Sequence, residues 1–232
     1  MTFAIDLTEE QRAIKHAIED ICAKYDDHYW LKTDESGKFP EEFVADIAAG
    51  GWLGVAMPER FGGAGLGLQE AALMMQTVAE SGAGFSGASA IHLNIFGLMP
   101  IVKFGTEEQQ ARFLPPAMDG TDKACFAVTE PNSGLDTSSL ETRAERTNSG
   151  YRITGRKIWT TNAQRANKIL IIARTTAKDK VKKPTEGLSL FYADFDRKHI
   201  DAKPIPKMGR KAVECNTPVS YTHLTLPTKR IV

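Results

Sequence analysis

Apolar residues in the first half of the chain recur at the 3.6-residue period of an α-helix. The first such stripe contains Ile14, Ala17, Ile18, Ile21, Cys22 and Tyr25. Thr8 and Gln11 stand just before it, at the two positions of a capping box, where each side chain can bond the other residue's backbone N–H. The pattern therefore predicts an amphipathic helix that begins after Thr8 and buries this stripe.

The same period predicts two more helices. One follows Phe39, has Pro40 in its first turn and ends at the glycine pair 50–51. The other covers residues 68–79 and fades at Gly82. Proline is tolerated in a first helical turn and glycine is common at a helix end, so both boundaries have a local cause.

Residues 86–104 are mostly small or apolar, which predicts a helix that is buried on most sides despite His92 and Asn94 within it. Thr106 and Gln109 form a second capping box that opens a short helix, and we expect the proline pair 115–116 to end it. Residues 1–120 are thus predicted to form an α-helical domain.

After residue 120, β-branched and aromatic residues come in short runs separated by Gly, Asn, Asp and Thr, which is typical of strands and turns. The central run of "KILIIAR" is apolar throughout, which predicts a strand covered on both faces, whereas "GLSLFYADF" fits an edge. Residues 121–217 are predicted to form an incomplete antiparallel β-barrel or sandwich domain, giving an α+β chain. The candidate strands are 124–129, 141–146, 151–159, 168–174 and 188–195.

Composition narrows the function classes. The chain has 232 residues, of which 42% are hydrophobic, and it carries 29 basic and 29 acidic residues. This neutral balance offers no general attraction for nucleic acid or anionic lipid. No uninterrupted apolar run approaches the roughly 20 residues of a membrane span, and the acid-rich N-terminus resembles no secretory signal, so we expect a cytoplasmic protein without a membrane span.

Metal and dinucleotide motifs are weak. The three cysteines are far apart, without a C-x-x-C pair, and the five histidines are scattered, so we assign no metal. "FGGAGLG" at 61–67 matches part of a phosphate-binding glycine pattern. Pro58 stands where the preceding strand should end, and Glu80 falls at a helix end, so we interpret these glycines as a turn between helices.

Two stretches of the β-half fit each other as parts of one site. "CFAVTEPNSGLD" is a strand that runs into a Gly-containing loop with free hydroxyls, and "GRKIWTTN" places a Trp and two Thr at a strand end. A flavin ring needs a flat apolar wall, hydroxyl or N–H donors to its polar edge, and N–H groups for its pyrophosphate. Together the two stretches could supply all three.

These stretches resemble signatures of the acyl-CoA dehydrogenase family. "FAVTEPNSGLD" is similar to its VTEP-x-x-G-x-D pattern, and "GRKIWTTNA" to its G-x-K-x-W-I-T-N pattern. "MPERFGGAGLG" and "FGTEEQQARFLPPAMDG" resemble two further segments in the same order. The resemblance implies an N-terminal helical domain, a middle β-domain and a C-terminal four-helix domain, with FAD held between the β-domain and a neighbouring subunit.

The resemblance also implies roles for individual residues. Thr129 would hydrogen-bond the flavin ring, Thr161 would lie near its N5, and Leu135 is also a candidate contact for substrate. The implied cofactor-binding residues are Phe126, Val128, Thr129, Gly134, Leu135, Trp159, Thr160 and Thr161.

Two departures from the family pattern limit this transfer. Leu135 replaces a serine that many relatives have, so only backbone N–H contacts from Gly134 and Leu135 remain available there. From about residue 218 the chain no longer follows the family, and we expect residues 218–232 to be a non-native tail. The family's catalytic Glu belongs to the C-terminal domain, and Glu130 and Asp136 match structural positions, so we assign no catalytic residue.

We therefore expect a fragment of an FAD-dependent enzyme that desaturates an acyl-CoA thioester and passes electrons to an electron-transfer flavoprotein. The full-length parent is expected to be a homodimer or homotetramer, and this chain is expected to be unstable and inactive alone. A related flavoprotein oxidase or monooxygenase, or a non-catalytic binding protein on the same fold, is the alternative.

Overall fold

The structure, a computed structural model, describes the backbone of residues 6–226 and the side chains of residues 6–216. Its first half is helical, as the apolar period predicts. Short 3₁₀ turns at Trp52–Gly54 and Glu59–Phe61 join the third and fourth helices. The helices are α1 (Glu9–Cys22), α2 (Asp27–Ser36), α3 (Glu41–Ala49), α4 (Leu68–Val78), α5 (Gly84–Ile95), α6 (Met99–Phe104) and α7 (Glu107–Met118).

Both predicted capping boxes are present. The Gln11 backbone N–H donates to Thr8 Oγ1 at 3.1 Å, and the Thr8 backbone N–H donates to Gln11 Oε1 at 3.1 Å. The corresponding pair opens α7. The expected end of that helix was wrong, because Pro115 and Pro116 lie inside it. The Pro115 carbonyl still accepts from the Asp119 N–H at 3.1 Å, so the last turn closes although two N–H donors are missing.

Helix α2 was not predicted, because its apolar residues form only a weak stripe. Its two ends nevertheless carry local signals. The Asp26 carboxylate accepts from the Tyr29 N–H at 2.9 Å at the start. Gly37 ends the helix with φ of 64°, a left-handed conformation that glycine adopts without steric cost.

One stretch, Leu68–Phe104, is long and apolar enough to cross a membrane by length and composition alone. In the structure it is not one straight helix, because Gly82 has φ of 94° and interrupts it between α4 and α5. Half of its most apolar window is buried inside the protein, and Met74 and Ile91 belong to the helical core. This burial is typical of core helices in a globular fold.

The second half forms a curled sheet. The predicted strand 168–174 is confirmed to the residue as β5, and the other predicted strands are confirmed with ends shifted by a few residues. The strands are β1 (Ala124–Ala127), β2 (Arg143–Thr147), β3 (Gly150–Lys157), β4 (Thr160–Thr161), β5 (Lys168–Arg174), β6 (Leu188–Asp194), β7 (Ile200–Pro204) and β8 (Cys215–Leu226).

The curled sheet confirms the predicted β-domain, but it is mixed and not strictly antiparallel. Its path is β1-β5-β2-β3-β8-β4, with β6 paired to β5 and β7 paired to β8. β1 pairs with β5 in parallel, and β2 meets β5 in parallel at Arg143 and Arg174. A parallel pair needs a long crossover, and residues 128–167, which contain β2 to β4, provide it.

β5 is covered on both faces, as its continuous apolar run predicts. Ile169 and Ile171 face the core of the β-domain, whereas Leu170 packs into a second cluster with Phe113 of α7. The side chain of Asn94 on α5 donates to the carbonyls of Ala117 and Asp122 at 2.9 and 3.1 Å. These contacts hold α5 against the link between α7 and β1.

Strands β7 and β8 were not predicted. β8 pairs with β3, β4 and β7 and continues beyond residue 217, the expected boundary of the β-domain. The expectation of a non-native tail at 218–232 stays a prediction, and residues 227–232 lie outside the described part of the chain.

Candidate functional site

The two signature stretches meet where β1 and β3 end. The Ile158 backbone N–H donates to the Thr129 carbonyl at 2.9 Å. The ammonium of Lys157 donates to the Val128 carbonyl and to Glu130 Oε1, both at 2.9 Å. The end of β3 is thereby fixed to the loop that follows β1.

Glu130 and Lys157 form an ion pair inside the protein, and the Lys157 side chain is 0% exposed. The Glu130 carboxylate also accepts from the backbone N–H groups of Glu141 and Thr142, at 2.7 and 2.9 Å. Burial alone would raise the pKa of Glu130, but these donors outweigh it and hold the pKa below its usual value. Glu130 is therefore a structural anchor, in agreement with its exclusion as a catalytic base.

The chain kinks sharply after β3. Trp159 and Asn162 both have φ of 62°, in the left-handed region, and they flank the two-residue strand β4. Asparagine tolerates this conformation, whereas a bulky residue such as tryptophan adopts it only when its surroundings hold it there. Here the Trp159 N–H donates to the Asn216 carbonyl at 3.0 Å, and the Asn216 side chain donates to the Thr160 carbonyl at 2.9 Å.

The kink opens a cavity of about 360 Å³ between the β-domain and helix α5. This volume lies in the range of small-molecule and cofactor pockets. Its β-wall contains Phe126, Val128, Thr129, Ile158, Trp159 and Thr161, and its helical wall contains His92, Leu93, Phe96 and Gly97.

Five of the eight residues expected to bind the cofactor line this cavity together: Phe126, Val128, Thr129, Trp159 and Thr161. Thr160 does not line it, because β4 alternates and turns this side chain inward, where it is 0% exposed. Its Oγ1 has no hydrogen-bond partner among the described residues. Flavin binding by these side chains stays a prediction.

The turn that contains Gly134 and Leu135 lies outside the cavity lining. Glu130 and Ser133 exchange backbone hydrogen bonds that close this turn, and the Leu135 side chain is fully exposed. Asp136 accepts from the Ser138 N–H at 3.0 Å and from the Ser138 hydroxyl at 2.5 Å, so its carboxylate caps the following 3₁₀ turn. This engagement supports the structural interpretation of Asp136.

Sequence reasoning missed the helical wall. His92 is its polar member, and its Nδ1 carries a proton because it donates to the Ser89 carbonyl, which only accepts, at 3.1 Å. Burial lowers the pKa of His92, and the nearby Arg210 guanidinium lowers it further, against the opposing effect of the Ser89 bond. The available signal was a histidine within an otherwise apolar helix.

A larger cavity of about 760 Å³ lies elsewhere, between α2, α3 and the segment that leads into β8. Charged residues of both signs line it, and several are already partnered. Glu41 pairs with Lys123 at 3.2 Å and also with Arg165, and Glu42 accepts from the Tyr29 hydroxyl at 3.2 Å. None of the eight residues expected to bind the cofactor lines this cavity.

The smaller cavity fits the ring of a flavin in the chemistry of its lining. Phe126, Val128 and Phe96 supply apolar surface, and the hydroxyls of Thr129 and Thr161 supply donors for a polar ring edge. Among the described residues that line it, none is a carboxylate. The arrangement can hold and orient a ring, but it does not itself contain an acid–base group of the Asp or Glu type.

Comparison with known proteins agrees with this geometry. The family model described as the acyl-CoA dehydrogenase N-terminal domain matches residues 8–121, and the one for the middle domain matches residues 125–221. The middle-domain match thus extends four residues beyond the boundary expected at 217.

Individual relatives give the same result. The chain is 33% identical over 206 residues to the probable acyl-CoA dehydrogenase YngJ of Bacillus subtilis, covering 88% of this chain and 53% of that protein. It is 34% identical over 209 residues to benzylmalonyl-CoA dehydrogenase of Aromatoleum aromaticum, covering 88% and 52%. It thus spans about half the length of the curated relatives that it matches.

The fold also matches a solved structure. Butyryl-CoA dehydrogenase from Megasphaera elsdenii superposes with a TM-score of 0.82 at 25% identity, over 95% of this chain and 58% of that one. The two family models together cover nearly the whole described chain, in the order helical domain then β-domain. The chain belongs to the acyl-CoA dehydrogenase family.

Proposed function

We propose that the protein to which this chain belongs is an FAD-dependent acyl-CoA dehydrogenase that desaturates an acyl-CoA thioester between its α and β carbons. One observation carries the proposal: the two family signatures meet in the structure and place Thr129, Trp159 and Thr161 around one cavity. Family membership supports the reaction class, and the mix of apolar wall and hydroxyl donors supports a flavin as occupant.

The residues of this chain would bind and orient the ring. FAD, when bound, supplies the acceptor for the hydride that leaves the β-carbon. Phe126 and Val128 would exclude water from the ring, and the hydroxyls of Thr129 and Thr161 would donate to its polar edge. Trp159 lies at the rim of the cavity, where its half-exposed ring would cover the flavin.

The base that removes the α-proton is not assigned to the described residues. Glu130 is held by Lys157 and two backbone donors, and Asp136 is bonded to two serines. Neither lines the cavity. The proposed base is a glutamate in a part of the parent protein that this chain does not contain, and we expect the 232-residue chain to show no turnover by itself.

The proposed partners follow from the same reaction. An acyl-CoA is the substrate, and an electron-transfer flavoprotein would reoxidise the reduced cofactor in the cytoplasm. The parent is proposed to work as a homodimer or homotetramer, in which a neighbouring subunit completes the FAD site.

The test is flavin content and dye reduction in a longer parent protein that contains these residues. We expect a yellow protein whose flavin absorbance bleaches on addition of an acyl-CoA and which reduces an artificial electron acceptor. Hydrogen peroxide formed in proportion to acyl-CoA would favour an oxidase. A colourless protein that fails to take up FAD would overturn the proposal and favour a non-catalytic binding role.

A further inference from the structure

Behind Thr161, outside the cavity lining, lies a chain of polar contacts. Thr161 and Cys215 are direct partners across β4 and β8, and Thr161 Oγ1 lies 3.6 Å from Cys215 Sγ. Arg210 Nη2 approaches the same sulfur at 3.2 Å, and Lys207 Nζ approaches it at 3.8 Å. The sulfur is buried, with 6% of the residue exposed.

The chemistry of these groups fixes the direction of the two hydrogen bonds from Arg210 and Lys207 to the sulfur. Guanidinium and ammonium groups only donate, so the sulfur of Cys215 accepts from Arg210 and Lys207. The thiol proton is then left to donate to Thr161 Oγ1. If Thr161 Oγ1 accepts that proton, its own hydroxyl proton is free to point into the cavity that Thr161 lines.

Arg210 also joins the two walls of the cavity. Its Nη1 donates to the Ser89 hydroxyl at 2.9 Å, and the Ser89 carbonyl accepts from His92 Nδ1 at 3.1 Å. His92 lies on the helical wall and Thr161 on the β-wall. The loop keeps this geometry because Lys207 Nζ donates to the Arg210 and Val213 carbonyls, at 2.9 and 2.6 Å.

We infer that Arg210 and Cys215 are positioning residues of the cavity: Arg210 holds the Cys215 sulfur as an acceptor, and the Cys215 thiol turns the Thr161 hydroxyl proton toward the bound ring. The inference rests on the proposed function, because it assigns the occupant as a flavin with acceptor atoms at its edge. Arg210 and Cys215 would contact neither the ring nor the substrate. The Cys215 thiol proton would bond Thr161 Oγ1, and the Thr161 hydroxyl proton would bond the ring.

The test is FAD affinity, measured by fluorescence titration of the longer parent protein that contains these residues and of three variants of it. Cys215→Ala removes the donor, and FAD should bind about fivefold more weakly, the effect of one hydrogen bond. Cys215→Ser keeps an O–H donor and should restore affinity to within about twofold of the wild type. Lys211→Met removes a neighbouring exposed charge from the same loop and should change nothing.

A second measurement is independent of flavin. Because the Arg210 guanidinium lowers the pKa of His92, Arg210→Met should shift the NMR titration of His92 to higher pH, and Lys211→Met should leave it in place. Chemical denaturation of each variant separates these effects from unfolding.

The outcomes are distinct. Unchanged FAD affinity in Cys215→Ala, or equal weakening in Cys215→Ala and Cys215→Ser, would overturn the inference for Cys215. An unshifted His92 titration in folded Arg210→Met would overturn the bridge between the walls. A wild-type parent protein that binds no FAD would instead count against the proposed function, and the His92 titration would still decide the bridge.

Discussion

The anchor between the two signatures, Lys157 with Glu130, gives the most direct stability prediction. Lys157→Met keeps most of the buried aliphatic volume but removes the ammonium. The Glu130 carboxylate then loses a partner at 2.9 Å, and the Val128 carbonyl loses another at the same distance. Removing one partner of a buried ion pair costs about 3–5 kcal/mol, so we expect a loss of that size in the free energy of unfolding.

This loss is large against the ~5–15 kcal/mol that stabilises a typical domain. The loop after β1 should loosen with it, because that loop is held to β3 by the lost contacts. Glu130→Gln should also destabilise the chain, since an amide nitrogen would face backbone N–H donors from Glu141 or Thr142. The double variant Lys157→Met/Glu130→Gln should lose less free energy of unfolding than the two single variants lose together, because neither charge is then left buried alone.

The assay is guanidinium unfolding followed by circular dichroism, with Arg152→Met as the matched control. Arg152 lies on the same strand, and its pair with Glu145 at 2.8 Å is exposed. Exposed pairs contribute about 0–1 kcal/mol, so this control should lose no more than that. Equal losses in Lys157→Met and Arg152→Met would refute the interpretation of Lys157 as the anchor of the site.

Three further predictions follow from the site. Trp159→Asn should weaken FAD binding at least about tenfold, yet it should change the free energy of unfolding by less than about 1 kcal/mol. The stability change is small because asparagine relieves the cost of a left-handed tryptophan, about 1–2 kcal/mol, and because the lost side chain is 55% exposed. A large loss of stability in denaturation would contradict this. Burial lowers the pKa of His92, so the folded state binds fewer protons than the unfolded state below pH 6.5, and stability should fall as the pH falls from there through the folded pKa. His92→Asn should flatten that dependence in unfolding curves measured between pH 5 and 7.5, and an unchanged slope would count against it. Gly155→Ala should lower stability by about 1–3 kcal/mol, because its Cβ would lie 2.3 Å from Thr142 Oγ1 and 2.7 Å from Thr142 Cβ. Adding Thr142→Gly, which removes both atoms, should recover part of the loss in thermal melting, and no recovery would contradict this.

The elements that could be predicted from sequence are those with local causes. Thr8 and Thr106 each carry their capping partner three residues away, and β5 is apolar along its whole length, so both signals lie within a short window. α2 was missed because its signals, Asp26 and Gly37, stand only at its ends.

The missed parts depend on distant contacts. β8 pairs with residues of β3 that lie some 60 to 75 positions earlier in the sequence, and no local pattern predicts such a pairing. The parallel pairing of β1 with β5 likewise follows from the path of the crossover and not from strand composition.

The residues of the candidate site likewise include some with a local sequence signal and others that depend on distant contacts. Phe126, Thr129, Trp159 and Thr161 could be found because they stand within two recognisable stretches. His92 and the rest of the helical wall join them only through packing of α5 against the β-domain. The Thr160 side chain does not line the cavity, because β4 follows the left-handed Trp159 and turns this side chain inward.

The central claim is that the cavity between β1, β3 and α5 holds the flavin ring, and one FAD titration of the longer parent protein tests it most directly. Val128→Trp fills the cavity from its β-wall, and Met208→Trp places the same ring on a fully exposed loop outside the cavity. We predict that the wild type and Met208→Trp bind FAD alike and that Val128→Trp binds it at least about tenfold more weakly. Equal FAD affinity in a folded Val128→Trp variant of the parent protein, or no FAD binding by the wild-type parent, would contradict the account.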